Sequence, residues 1–214
     1  TFDRIDPVDR DADGLASLCD ELAATGHRPM ALPADLGELE SLPALVDEAR
    51  DGLGGLHAVV NNAGLLSFRP FNQETVEDLE RLQRVNVLAP MVLTRAALPR
   101  MVDQGAGHIV NVGSIFGSIA FAWFASYSAS KFAVRGFSEA LRRELAGSGV
   151  CVTYVAPRAT RTPLANVFGR MAEATGMHLD APQKVAARVV KAMESDAKDV
   201  YVGFPECLFV RLNA

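Results

Sequence analysis

The chain has 214 residues, 49% of them hydrophobic and 22% charged, with a formal charge of −5 at pH 7. That length and composition suit one soluble domain with a sizeable core, and no basic stripe points to a nucleic-acid partner. No apolar run approaches the roughly eighteen residues of a membrane span, and Thr1-Phe-Asp-Arg-Ile-Asp6 lacks the pattern of a secretory signal.

In chain order, Pro7-Val8-Asp9 reads as a short strand and residues 12–24 as an amphipathic helix. An extended stretch over 28–36 breaks at Ala34-Asp35, and a helix over about 37–53 follows. A strand is expected at Ala58–Asn61, then one long helix over 75–103 that Pro90 and Pro99 bend or interrupt. A strand ending at Val112, a helix over 127–146, a strand over 150–155, a helix near 182–194 and a strand over 200–203 complete the chain. This alternation predicts an α/β fold with a doubly wound, Rossmann-like parallel sheet covered on both faces. We expect a single domain over residues 1–214.

Chemistry concentrates at the ends of the apolar strands, where open α/β sheets carry their sites. One strand runs into Asn61-Asn62-Ala63-Gly64, another into Val112-Gly-Ser114. Tyr127-Ser-Ala-Ser-Lys131 sets a phenol and an ammonium on one helix face. A free phenol, with a pKa of about 10, is a poor base at neutral pH, and a nearby cation lowers that value. Lys131 is expected to act on Tyr127 in this way, with a cationic cofactor ring as a second contributor. Cys19, Cys151 and Cys207 show no metal-ligand spacing, nor do His27, His57, His108 and His178, so no metal is expected. A reducing cytoplasm is the simplest setting.

Taken together, Asn61-Asn62-Ala63-Gly64, Arg84-Val-Asn86, Ile109-Val-Asn-Val-Gly-Ser114 and Tyr127-Ser-Ala-Ser-Lys131 resemble the classical short-chain dehydrogenase/reductase family. Ser114 lies thirteen residues before Tyr127, as in that family, and the likeness runs from about Pro7 to about Pro205. The resemblance implies an NAD(P)-dependent oxidoreductase that interconverts an alcohol and a ketone or aldehyde. Tyr127 would be the general acid/base and Ser114 the donor to the substrate oxygen. Lys131 would also hold the nicotinamide ribose, and Asn86 would organise a water chain to Lys131. A turn serine and a satisfied core asparagine are the plainer readings of Ser114 and Asn86. Ser118 lies too close to Tyr127 for the family spacing.

For the cofactor, the resemblance places Asn62, Ala63 and Gly64 beside the adenine ribose, and Asp35 and Leu36 by the adenine. Asp35 reads equally as a helix N-cap. Asp9 would accept bonds from ribose hydroxyls and favour NAD, whereas Arg10 would welcome the extra phosphate of NADP. NAD is the preferred expectation. Beside Pro157, Thr160 would offer backbone groups to the carboxamide and Thr162 a hydroxyl to cofactor phosphate or amide, or both serve only as loop threonines; Arg158 stands where the family has glycine. A substrate lid is expected at about 164–179. Phe116, Phe121, Trp123 and Phe124 would wall an apolar substrate or a subunit interface. A homodimer or homotetramer through the long helices is expected.

One part of the pattern is missing. A dinucleotide-binding domain opens with a strand, a glycine-rich turn and a helix, yet no glycine precedes Gly14 here. Either roughly 30 residues, about one βα unit, belong before Thr1, or the protein lacks them and is a non-catalytic binding or signalling protein on the same fold. Epimerase-like or dehydratase-like chemistry, with no net use of NAD(H), is a further alternative.

Overall fold

A computed structural model describes residues 4–169, 171–172, 176–203 and 210. Within them β1 (Val8–Asp9) pairs in parallel with β2 (Leu32–Pro33). Strands β3 (Ala58–Asn61), β4 (Gly107–Val112), β5 (Val150–Pro157) and β6 (Asp199–Val202) form a second parallel sheet in that order. Among the described residues no ladder joins the two sheets. Val60 of the edge strand β3 is 47% exposed, although its apolar run reads as a strand covered on both faces.

Helices cover both faces, as the alternation of strands and helices predicts. On one face, Val46 of α2 (Leu42–Leu53), Ala97 and Met101 of α4 (Ala89–Gln104) and Leu141 of α5 (Ala125–Glu144) pack over Ile109 and Val152. On the other, Val185, Val189 and Met193 of α6 (Pro182–Glu194) close over Val110, Val155 and Val202. Each fully buried aliphatic side chain stabilises the fold by about 1.5–3 kcal/mol relative to exposure. Helix α1 (Ala12–Ala24) packs on β1 and starts at Asp11, whose carboxylate accepts the Gly14 N–H at 3.1 Å.

The expected long helix over 75–103 is not continuous. A capping box of Thr75 and Asp78 opens α3 (Val76–Gln83), and Arg84–Leu88 then form a π turn before α4 begins. Pro90 lies at the start of α4, and Pro99 stays inside it. The interruption takes the form of a widened turn that ends two residues before Pro90. A π turn inserts an extra residue into the helix, and here it carries Asn86, which is 1% exposed.

A polar seam locks the carboxyl ends of the strands together. The Asn61 amide donates to Asn111 Oδ1 at 2.8 Å and to Thr94 Oγ1 at 3.3 Å. Asn111 donates to Ser138 Oγ at 2.8 Å, and Ser138 donates onward to the Val134 carbonyl at 2.7 Å. Asn61 thus ties β3 to β4 and α4, supporting the sheet as expected of it.

Beyond β5 the chain is held by an ion pair. Arg158 grips Asp180 with two bonds, Nε–Oδ2 at 2.8 Å and Nη2–Oδ1 at 3.0 Å, and Lys184 Nζ adds a third at 2.8 Å. The Asp180 side chain is 1% exposed and that of Arg158 7%. The residue that departs from the family's glycine is therefore a buried clasp between the end of β5 and the start of α6. Arg158 and Lys184 hold the Asp180 carboxyl down at about 2. A depressed carboxylate stabilises the fold above its ordinary pKa and loses that contribution as pH falls towards the folded value. Arg158→Ala removes both guanidinium bonds to the buried Asp180 and is expected to cost about 3 kcal/mol in urea unfolding at neutral pH. The gap to wild type should shrink as pH falls from about 4 to about 2; an equal gap at both ends would show that the clasp is not ionic.

Candidate active site

Helix α5 carries Tyr127 and Lys131 one turn apart, and both are buried, at 7% and 5% exposure. Ser114 lies at the end of β4, in extended backbone, and its hydroxyl accepts the Phe116 N–H at 3.2 Å to cap a short 3-10 turn over Ile115–Gly117. The Ser114 side chain also lies near enough to Tyr127 to lower the pKa of its phenol. The structure thus brings Ser114, Tyr127 and Lys131 to one place.

Lys131 reaches from α5 back under β4. Its ammonium donates to the Val112 carbonyl at 3.2 Å and lies 5.7 Å from the Tyr127 ring centroid. Burial pushes it down to about 8. The Tyr127 phenol moves the other way: burial lifts it to about 12, opposed by the nearby Ser114 side chain. The lowering of Tyr127 expected from Lys131 is therefore not met in the protein alone. The ammonium lies over the ring and donates to a carbonyl, and desolvation of the phenolate wins.

Asn86 closes the site from the π turn. Its amide accepts from the Leu65 N–H at 2.7 Å and donates to the Leu65 carbonyl at 2.9 Å and Ser130 Oγ at 3.0 Å. These bonds fix the chain just after Asn62, Ala63 and Gly64. A Cβ on Gly64 would lie 3.4 Å from Asn86 Oδ1 and 3.6 Å from Lys131 Nζ, so this glycine brings the backbone close to the ammonium. Asn62 and Ala63 are exposed beside it. An ammonium has three donors, and Lys131 donates to one protein acceptor among the described residues. That donor surplus beside an open backbone fits the hydroxyls of a nicotinamide ribose.

The other candidates sit around this centre at differing distances. Pro157 ends β5; Thr160 donates to the Arg158 carbonyl at 3.1 Å and bridges to Asp180. Thr162 precedes the 3-10 turn Pro163–Phe168 and donates to the Thr160 carbonyl at 3.4 Å. Of the expected lid, residues 170 and 173–175 lie outside the described residues. At the far end, Asp9 closes β1 and accepts the Asp11 N–H at 3.1 Å. The Asp35 carboxylate does not cap a helix; it accepts the Gly37 N–H at 2.8 Å and pairs with Arg81 at 3.0 Å, which lowers its pKa. Leu36 beside it is half-buried.

Phe116 and Phe124 pack around Tyr127 with ring centroids 6.1 and 6.4 Å away. Phe121 and Trp123 remain 51% and 55% exposed. Two residues carried no signal in the sequence. Glu74 Oε1 accepts from both Ser67, at 2.9 Å, and Ser126, at 2.8 Å, tying a loop to the residue before Tyr127. Tyr154, on β5, reaches the backbone of Ser114. Neither belongs to a spaced motif, and only the fold brings them here.

The buried lysine gives the pH dependence of stability a definite sign. An ordinary lysine titrates near 10.5, so from about 8 to 10.5 the unfolded chain binds a proton that the folded chain has shed. Stability should therefore rise with pH across that window, by up to ~3 kcal/mol. From about 10 upward Tyr127 acts oppositely, because the folded phenol keeps its proton to about 12. Lys131→Met should flatten the rise in urea unfolding measured across the window; a variant with the wild-type slope would show that Lys131 stays charged.

The profile of the short chain dehydrogenase family matches residues 4–173. "Ketoacyl reductase HetN" of Nostoc sp. is 34% identical over 195 residues, which are 91% of this chain and 68% of that protein. The chain spans little more than half of several other curated relatives, such as 56% of the Drosophila melanogaster "Dehydrogenase/reductase SDR family protein 7-like", at 33% identity over 82% of this chain. Among solved structures, a short-chain dehydrogenase from Sphingobium yanoikuyae in complex with NADPH superposes with a TM-score of 0.85 at 29% identity, covering 98% of this chain and 82% of that one. The fold is shared as well with a short chain dehydrogenase/reductase from Burkholderia phymatum in complex with NAD, with a TM-score of 0.90 at 24% identity over 98% and 83% of the two chains. The doubly wound sheet agrees with these likenesses, and the chain belongs to the short chain dehydrogenase family.

Proposed function

We propose that the chain acts as an NAD(P)-dependent oxidoreductase interconverting an alcohol and a ketone or aldehyde. The observation that carries this reading is the grouping of Ser114 with a buried Tyr127 and, one helical turn on, the buried Lys131 ammonium. A phenol held protonated is a proton donor. In reduction Tyr127 donates its proton to the carbonyl oxygen, and in oxidation it takes the alcohol proton. Ser114 donates to the same oxygen and stabilises the charge that develops there.

A bound nicotinamide dinucleotide would supply hydride to the substrate carbon, or accept it. Lys131 holds the nicotinamide ribose; Asn62, Ala63 and Gly64 line the adenine ribose, with Asp35 and Leu36 by the adenine. Pro157, Thr160 and Thr162 orient the carboxamide. Asn86 steadies the Leu65 backbone and Ser130, and so supports a proton path towards Lys131. Asp9 favours NAD over NADP by accepting from ribose hydroxyls.

A homo-oligomer is the proposed assembly, because Leu88, Val102 and Phe132 on the long helices are 42%, 43% and 43% exposed. No described helix is long and apolar enough to cross a membrane. Free Cys19 and Cys151 suit a reducing cytoplasm.

Tyr127→Phe should fold like wild type and lower kcat about 10²–10⁴-fold, the usual contribution of a positioned acid/base. Loss of NAD(P)H absorbance with a panel of ketones and aldehydes measures it, and near-wild-type turnover would overturn the assignment. Asp9→Ser should shift the ratio of kcat/KM for NAD over NADP about tenfold towards NADP, the scale of one charge-assisted hydrogen bond. An unchanged ratio would place cofactor choice elsewhere.

A further inference from the structure

Tyr154 is the largest of the fully buried side chains among the described residues. It lies on β5 opposite Asn111 of β4, and it packs with Val87 and with Val134 of α5. Its hydroxyl leaves this apolar cluster and, among the described residues, hydrogen-bonds only Ser114. It donates to the Ser114 carbonyl at 3.1 Å, and the Ser114 N–H approaches it at 3.5 Å.

Two glycines make room for the ring. A Cβ on Gly113 would run into the ring itself. A Cβ on Gly117 would lie 2.5 Å from the phenol oxygen and 2.6 Å from the Lys131 carbonyl. The phenol is thus wedged between the loop that carries Ser114 and the helix that carries Tyr127 and Lys131. Burial raises its pKa far above that of an ordinary phenol, so it remains a neutral donor.

We infer that Tyr154 is a positioning residue that holds the Ser114 main chain, and through it the Ser114 hydroxyl, against Tyr127. The inference rests on the reading above in which Ser114 binds the substrate oxygen. Plain core packing accounts for the ring but not for the hydroxyl, since phenylalanine would fill the same slot. Ser114 needs such an anchor, because its loop leaves β4 in extended backbone and turns at once into the 3-10 turn.

Tyr154→Phe tests this directly in the full-length enzyme. We expect kcat to fall about tenfold or more with KM nearly unchanged, as for a misplaced catalytic group. Its loss should be non-additive with that of Ser114→Ala, so that the double variant is little worse than Ser114→Ala alone. Unchanged kcat, or losses that multiply, would overturn the inference. Backbone amide exchange gives a reading independent of turnover: residues 113–118 should exchange faster in Tyr154→Phe while the rest of β4 and β5 stay protected. Unaltered exchange there would overturn it too. If wild type turned over no carbonyl compound, the proposed activity would fail, and exchange would still decide the role of Tyr154. Should the variant not fold, the wild-type Tyr154 hydroxyl proton should give a slowly exchanging resonance with cross-peaks to the Ser114 amide; their absence refutes the contact.

Discussion

Burial of the Lys131 ammonium is the constraint that organises this molecule. Removing a charge from water is costly unless it gains partners, and the surroundings answer that cost in three ways. The Val112 carbonyl at the end of β4 accepts one bond. The Tyr127 ring lies across from the ammonium. Gly64 brings its backbone close to the ammonium, where a Cβ would lie 3.6 Å from Lys131 Nζ. What remains of the cost appears as a lysine drawn down to about 8 and a phenol lifted to about 12. Both groups are held away from their charged forms, so whatever binds beside them has leverage over a proton.

Holding those groups requires a polar interior that is satisfied almost everywhere. The π turn at Arg84–Leu88 aims Asn86 inward, and the Asn86 amide fastens Leu65 and Ser130. The Asn61–Asn111–Ser138 seam aligns β3, β4 and α5. Carboxamides suit this work: each offers donors and an acceptor in a fixed plane, so one side chain sets the register of two elements. The Arg158–Asp180 clasp does the same for the segment beyond β5, with charges in place of amides.

Much of this was legible beforehand. Helix α1, strand β3 and helix α6 fall where periodicity placed them, because each has a stripe or run whose burial admits one secondary structure. An interruption of the long helix was expected from Pro90 and Pro99, but its form was not legible: a π turn over Arg84–Leu88 whose Asn86 bonds to Leu65, in a distant loop. The pKa of Tyr127 was misjudged for a related reason. Its spacing to Lys131 gives the distance along a helix, but desolvation depends on what the rest of the chain packs over it.

By itself, then, the sequence determined the α/β alternation, the apolar faces of the helices, the place of Ser114 after a strand and the spacing of Tyr127 and Lys131 along one helix face. Those features follow from local periodicity and short spacings, which any chain with these residues must obey. Only the tertiary structure decided that Glu74 meets Ser126, that Arg158 clasps Asp180, and that Tyr154 lies beneath Ser114 between Gly113 and Gly117. Each of these pairs joins residues more than twenty positions apart. Their contact depends on sheet register and helix docking, which no local pattern encodes.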